Sequence, residues 1–240
     1  MSPAFASVLA AVISGAFAVA SLILNRRAAR RDRALSADNL ANRYRSPLLH
    51  AAFDLQARLY NIQRKAFLDR FYRDDAPANY REYAAANTMY LIGQYLCYSE
   101  VIRRSVLLLD PVDRRRQQAL MEAMARIRYT FATDAISDST LVVFRGEQRA
   151  IGEILLAAAN GPADGSPRWD CWGYAEFVSR LDAPEIGKWF GNLRVGIDAL
   201  ATDLNAHNER LIALQHDLLG LIALIDPDGE QVPSTLRKPL

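Results

Sequence analysis

The chain has 240 residues, of which 51% are hydrophobic and 23% charged, so it is long enough and apolar enough to bury a core. The formal net charge is +2, but five arginines and one aspartate lie between Asn25 and Arg33, and the rest of the chain carries a net charge of −2. A chain balanced in this way lacks a large phosphate-neutralising surface, and we expect no nucleic-acid partner.

An uncharged apolar run of 22 residues, from Pro3 to Leu24, opens the chain. As a helix it spans roughly 33 Å, enough to cross a hydrocarbon core of about 30 Å. In a secretory signal peptide the basic residues precede the apolar region, whereas here they follow it. These membrane-proximal residues are Arg26, Arg27, Arg30, Arg31 and Arg33. The run therefore favours a membrane anchor over its two alternatives, a cleaved signal peptide and a buried core helix.

The anchor predicts the organisation of the whole chain. We expect a transmembrane anchor over residues 1–25, with residues 3–24 in the bilayer, and an Arg-rich juxtamembrane stalk over residues 26–45. The positive-inside bias places the amino terminus outside the plasma (inner) membrane and a helical domain over residues 46–227 in the cytoplasm. The tail over residues 228–240 has little core content and is expected to be loose.

The cytoplasmic domain is predicted to be all-α, an irregular bundle of about six helices. Capping residues indicate helix starts at Ser46-Pro47, Asn79 and Asp110-Pro111. The first of these helices is expected to end near Asp74, and the second near Leu109. The third is predicted to bury apolar residues at helical spacing, namely Leu120, Met124, Ile127 and Phe131, and to expose Arg114, Arg115 and Arg116.

The second half of the domain is predicted to contain shorter elements. Residues 134–139 are expected to form a loop, and residues 141–144, although strand-like in composition, a loop or turn because they lack a partner strand. The remaining predicted elements are a helix over residues 147–159, a Gly/Pro-rich loop over 160–167, a helix over 172–181, and helical residues from Pro184 to Ile225. This last segment is either one long helix or two antiparallel helices with a turn near residues 205–208.

Motifs of known chemistry do not occur in the sequence. It has no glycine-rich phosphate loop and no HExxH, CxxC or GxSxG sequence. Cys97 and Cys171 show no paired metal spacing, and His207 and His216 lie on opposite faces of any helix they share. We therefore assign no catalytic residue, no metal site and no cofactor, and the sequence leaves open whether the protein is an enzyme.

In two places the polar residues are denser than a helical bundle without a binding site requires. The first is the start of the predicted helix near residue 147, where Arg145 and Arg149 lie one turn apart and are placed to hold an anion. Its candidate site residues are Arg145, Glu147, Gln148, Arg149 and Glu153. The second lies on the first two long helices, with candidates Asp54, Arg58, Asn61, Tyr90 and Gln94 beside Asn87 and Tyr98. For each group the alternative is structural, with salt bridges and buried hydrogen bonds that fix helix packing.

Three strings resemble those of a group of uncharacterised, largely bacterial helical proteins that are anchored in a membrane at the amino terminus. They are RSPLLHAAFDLQARLYNI (45–62), NTMYLIGQYL (87–96) and FRGEQRAIGE (144–153). The resemblance runs from about residue 43 to residue 226 and implies no activity. We predict a membrane-tethered interaction module that binds a partner protein or its own copies. The alternative is a small-molecule sensor or enzyme with a polar pocket between helices.

Overall fold

A computed structural model describes residues 21–22, 25–26, 44–106, 114–159 and 168–240. These residues are predominantly helical, which confirms the all-α class. In chain order the elements are α1 (44–65), α2 (Phe67–Phe71), α3 (Ala78–Val106), α4 (Arg114–Ala132), α5 (Arg145–Ile154), β1 (Leu156–Ala159), β2 (Arg168–Cys171), α6 (Tyr174–Arg180), α7 (Pro184–Gly187), α8 (Gly191–Thr202) and α9 (Glu209–Ile225). A single 3₁₀ turn, Ser234–Leu236, follows α9 in this part of the chain.

The predicted anchor lies almost wholly outside the described residues. So do most of the stalk, the Asp110-Pro111 cap and the loop over residues 160–167, and of the five arginines only Arg26 is described. Among the helices that the structure does describe, none is both long and apolar enough to cross a membrane. The anchor and the orientation that it implies therefore stay predictions.

Two of the predicted helix starts are wrong. The chain is already helical at Tyr44, so Ser46 lies inside α1, and its hydroxyl instead donates a hydrogen bond of 2.7 Å to Gln231 Oε1 in the tail. Asn79 lies inside α3, which begins at Ala78, and the carbonyl of Pro77 accepts the first amide bonds of that helix.

The first long helix also ends earlier than predicted. Ala66 adopts a left-handed conformation with φ of 52°, which breaks the helix between α1 and α2. A non-glycine residue rarely adopts this conformation unless the surrounding structure holds it there. The loop expected near Asp74 then follows α2.

A short hairpin replaces the end of the predicted fourth helix. Helix α5 ends at Ile154, and β1 pairs with β2 in antiparallel register from Leu156 opposite Cys171 to Ala159 opposite Arg168. The amide of Trp172 extends this pairing by donating to the carbonyl of Leu155, so α6 begins at Tyr174 and not at residue 172. The apolar run of β1 suits a helix as well as a strand, and only its distant partner strand decides between them.

The core lies between α3 and the helices that pack around it. Helix α3 contacts α5, and α4 contacts α9. The four apolar residues predicted for the third helix are all buried, and Arg115 and Arg116 are exposed as expected. Residues 141–144 are irregular, as predicted. The predicted helical segment from Pro184 to Ile225 consists of three helices, α7, α8 and α9, and the chain turns between α8 and α9 near residue 205.

The tail is packed, in contrast to the loose tail that we expected. The Asp226 carboxylate accepts the amides of Glu230, Gln231 and Val232 and pairs with Arg237 at 2.7 Å. These bonds, with the amide of Val232 first, lower the pKa of Asp226. The composition of the tail did not predict this packing, because the Asp226 carboxylate, and not a large apolar area, organises the turn. That turn buries Val232.

The start of α1 is tied to two segments that are distant in sequence. The amide of Trp169 in β2 donates a 2.8 Å hydrogen bond to the Tyr44 hydroxyl. Ser46 bonds to Gln231 in the tail, as described above. The hairpin and the tail therefore both hold the first described turn of the domain.

Candidate functional site

Among the polar residues predicted on α1 and α3, Asn87 is contacted by the guanidinium of Arg58. The Arg58 side chain is buried, donates to Asn87 Oδ1, and lies over the Phe67 ring with 3.8 Å between Cζ and the ring centroid. Burial lowers the pKa of Arg58. An aromatic ring and an amide therefore enclose the Arg58 charge, which matches the structural alternative for this group.

The other members of the same group do not join Arg58. Asp54 and Asn61 are exposed. The Tyr90 hydroxyl donates to the carbonyl of Trp172 at 2.9 Å, and Gln94 donates weakly to that hydroxyl at 3.4 Å. Burial raises the pKa of Tyr90 to about 12, so the hydroxyl stays neutral at physiological pH. These contacts fix the hairpin end to α3.

The group predicted on α5 separates into three environments. Arg145 is exposed at the first turn. Glu147 accepts the amide of Phe144 at 2.9 Å, which caps the helix, and also accepts Asn192 Nδ2 at 3.2 Å. Of the two arginines expected to hold an anion, Arg149 pairs with Glu153 one turn later in the same helix, and the anion clamp itself stays a prediction.

Arg149 and Glu153 belong to a chain of ion pairs that joins α5 to α3. Arg149 pairs with Glu153 at 2.9 Å, and Glu153 also contacts Arg104 at 3.3 Å. Glu100 accepts two hydrogen bonds from Arg103 and one from Arg104. Burial alone raises the pKa of Glu100, but these arginine bonds outweigh it, so its pKa lies below the usual value and the carboxylate is ionised.

A small cavity lies beside this ion-pair chain, between α3, α4 and α5. Its volume is about 120 Å³. We call it the polar cavity, and its polar lining consists of Ser99, Glu100, Arg103, Arg128, Gln148 and Arg149. It takes Gln148 and Arg149 from the sequence prediction and no residue from the Asp54/Arg58/Asn61 group. The two predicted groups therefore do not converge on one cavity in the described part of the chain.

A larger, open groove of about 520 Å³ lies on the opposite side of the Phe144 turn. One wall is the segment over residues 132–144, and the other is α8, with Asn192, Val195, Gly196 and Ala199. We call it the α8 groove. The walls meet closely, since a Cβ added at Gly196 would lie 2.7 Å from the Leu141 amide nitrogen.

Arg210, which is only 1% exposed, fixes the loop wall of the α8 groove. Its guanidinium donates to the carbonyls of Thr130, Thr133 and Asp138, and more weakly to Ile136 at 3.4 Å. The Asp138 carboxylate accepts the Thr140 amide and hydroxyl through Oδ1. Its other oxygen, Oδ2, is buried and accepts no hydrogen bond from the described residues.

Sequence reasoning missed the α8 groove. Residues 134–139 were predicted only as a loop, and Arg210 lies 72 positions beyond Asp138 on another helix. One local signal was present. Arg210 lies in the first turn of α9, where a cation is unfavourable beside the positive end of the helix dipole, so its burial requires specific partners.

Comparisons with known proteins give no family for this chain. No family model matches it, and neither a curated protein nor a solved structure matches it. In the ranges that the structure describes, no three His, Cys, Asp or Glu side chains come together as a metal site would require. Function therefore has to be argued from the two cavities.

Proposed function

We propose that this protein is a membrane-tethered helical module that binds a partner protein through the α8 groove. One observation carries the proposal. Val195 and Phe144, exposed by 67% and 58%, are the two most exposed large apolar side chains of the described residues, and both line this groove. Apolar side chains that share one exposed concave surface are typical of an interaction site.

The charges of the groove indicate the kind of partner. Asp134 is exposed at its edge, and Asp138 keeps one carboxylate oxygen without a donor. Among the described residues of the lining, the one cation is Arg210, which is already surrounded by backbone carbonyls. A partner segment that places a lysine or arginine beside an apolar side chain would pair with the exposed Asp134 and cover Val195 and Phe144.

The tether is supported by the sequence of the first 33 residues. A 22-residue run without charge is followed by five arginines, the order expected for a stop and a cytoplasmic domain. Placing the domain at the cytoplasmic face of the plasma (inner) membrane restricts it to partners that also reach that surface. A domain held at that surface can bind such a partner through the α8 groove, which is part of the folded domain.

A photocrosslinking amino acid at Val195 tests the partner. Benzoylphenylalanine there, in the full chain in its native membranes, is expected to capture one protein through a segment that contains adjacent basic and apolar residues. Asp134→Lys reverses the charge at the edge of the groove and is expected to lower the crosslink yield at least about tenfold. Mass spectrometry of the crosslinked peptide identifies the segment.

Two controls make this experiment decisive. Benzoylphenylalanine at Tyr129, exposed by 53% on α4 and outside the groove, is expected not to capture the same segment. Asp182→Lys, an equal charge reversal at an exposed residue elsewhere, is expected to leave the yield unchanged. Capture of a second copy of the chain, of lipid alone, or of the same proteins from both positions would contradict the proposed partner.

Charged residues within the apolar run test the tether. The double variant Ser14→Arg, Ala18→Arg is expected to abolish flotation of most of the chain with membranes in a density gradient, because central arginines oppose insertion into the bilayer. Ser36→Arg, beyond the run, is expected to float like the unaltered chain. Equal flotation of the double variant and the unaltered chain would rule out residues 3–24 as the anchor.

A further inference from the structure

Gln148, which lines the polar cavity, has a buried hydrogen-bond acceptor without a donor in the described part of the chain. Gln148 is only 4% exposed. Its Nε2 donates both amide hydrogens to backbone carbonyls, at 2.9 Å to Arg128 O and at 2.8 Å to Val143 O. Because both partners are acceptors, the amide cannot be turned around, and Oε1 must be the remaining atom. Oε1 accepts no hydrogen bond from the described residues. A buried acceptor without a donor is unfavourable, and a ligand that supplies a donor would remove this penalty.

The charges around the cavity favour an anion. Arg103, Arg104, Arg128 and Arg149 surround or adjoin it, against only two carboxylates, Glu100 and Glu153. Arg103, Arg104 and Arg149 already pair with those carboxylates, and Arg128 has no carboxylate partner in the described ranges. Two positive charges therefore have no counterpart, which suits a dianion, and guanidinium groups bind oxyanions well.

The size of the cavity limits the ligand. Its 120 Å³ is several times the share of one water in the liquid, about 30 Å³, and far below the volume of a nucleotide site. The rest of the lining is apolar and offers no hydrogen bonds to a hydration shell; it consists of Leu96, Met121, Met124 and Ala125. The cavity therefore has room for a small oxyanion that loses most of its water on entry.

We propose that the polar cavity binds a phosphate-sized oxyanion that carries its own hydrogen, of which hydrogen phosphate is the simplest case. Arg128 and Arg149 bind its negative oxygens, and its hydroxyl donates to Gln148 Oε1. The buried Ser99 hydroxyl supplies a further polar group at the cavity wall. This site is independent of the α8 groove, so the two proposals succeed or fail separately.

Inorganic phosphate and sulfate are the probes that test this site. The two ions are alike in size and charge near pH 7.5, but only hydrogen phosphate can donate to Gln148. Calorimetric titration of the full chain in detergent, at constant ionic strength, is expected to show one saturable phosphate site per chain. Sulfate is expected to bind at least about tenfold more weakly, because it leaves the buried oxygen without a donor.

Arg128→Met is expected to weaken phosphate binding by at least about tenfold. Its control is Arg126→Met, two residues earlier on α4, where an exposed arginine outside the cavity is removed and binding is expected to stay unchanged. If circular dichroism shows that Arg128→Met does not fold, Arg149→Met replaces it, because that side chain is 59% exposed. Equal affinity for the two ions, no saturable phosphate binding, or equal losses in the cavity variant and Arg126→Met would overturn the proposal.

Discussion

Replacing Arg210 with methionine is expected to lower the free energy of unfolding by about 3–5 kcal/mol. The arginine donates to the carbonyls of Thr130, Thr133 and Asp138, and methionine would leave these groups without donors in a region that water barely reaches. Arg210→Lys is expected to keep only part of the stability, because an ammonium cannot reach carbonyls spread across the guanidinium fork.

Thermal unfolding of the full chain in detergent, followed by circular dichroism, measures this effect. For a chain of this size the expected loss lowers the melting temperature by roughly 6–20 °C. Arg126→Met is the matched control, since it removes an exposed arginine from α4 and is expected to change stability by no more than about 0.5 kcal/mol. Equal melting temperatures for Arg210→Met and Arg126→Met would show that the carbonyl contacts do not hold the loop.

The second large effect is expected at Gly152, where α5 crosses α3. A Cβ added at this position would lie 2.8 Å from the carbonyl oxygen of Leu96 and 3.1 Å from Glu100 Cβ. The close neighbour is backbone and cannot turn aside, so α5 has to move away from α3. Gly152→Ala is therefore expected to destabilise the domain by about 1–3 kcal/mol, despite the better helix propensity of alanine.

Gly146→Ala, on the same helix, separates propensity from packing. A Cβ added there meets nothing within 4 Å, and the substitution is expected to be neutral or to stabilise by up to about 1 kcal/mol. Both variants replace a glycine of α5 with alanine. A lower melting temperature for Gly152→Ala and a higher one for Gly146→Ala would therefore show that the close contact between α3 and α5 causes the loss of stability. A gain in stability for both would mean that α3 and α5 are less closely packed than the Gly152 contact indicates.

Local periodicity predicted the helices whose buried residues are regularly spaced. In α4, Leu120 and Met124 occupy the spacing of one face and are buried, so the local pattern and the tertiary contacts agree. The β1–β2 hairpin was missed because Leu156–Ala159 has no strand signal of its own and pairs with residues 9 to 15 positions away. The turn at Ala66 was missed because a positive φ at alanine depends on packing and not on propensity.

The candidate site was predictable only in part, for a related reason. Gln148 and Arg149 were identified from residues 144–153, but nothing nearby indicates that Arg128, 20 positions earlier, shares a cavity with them. The α8 groove depends on the contact of Arg210 with a loop more than 70 residues upstream. Spacing along one helix finds candidate side chains, whereas their partners depend on how the helices pack.

The two hydrogen bonds that hold the start of α1 have a mechanical consequence. Tension applied through the chain before residue 44 reaches Tyr44 and Ser46, which are bonded to the hairpin and to the tail. The pull is therefore divided between the hairpin and the tail, each of which lies more than 100 residues from α1 in sequence, and these contacts oppose peeling of α1 from the bundle one turn at a time. Rupture of the domain from this end requires both contacts to break together, which raises the force needed for the first unfolding event.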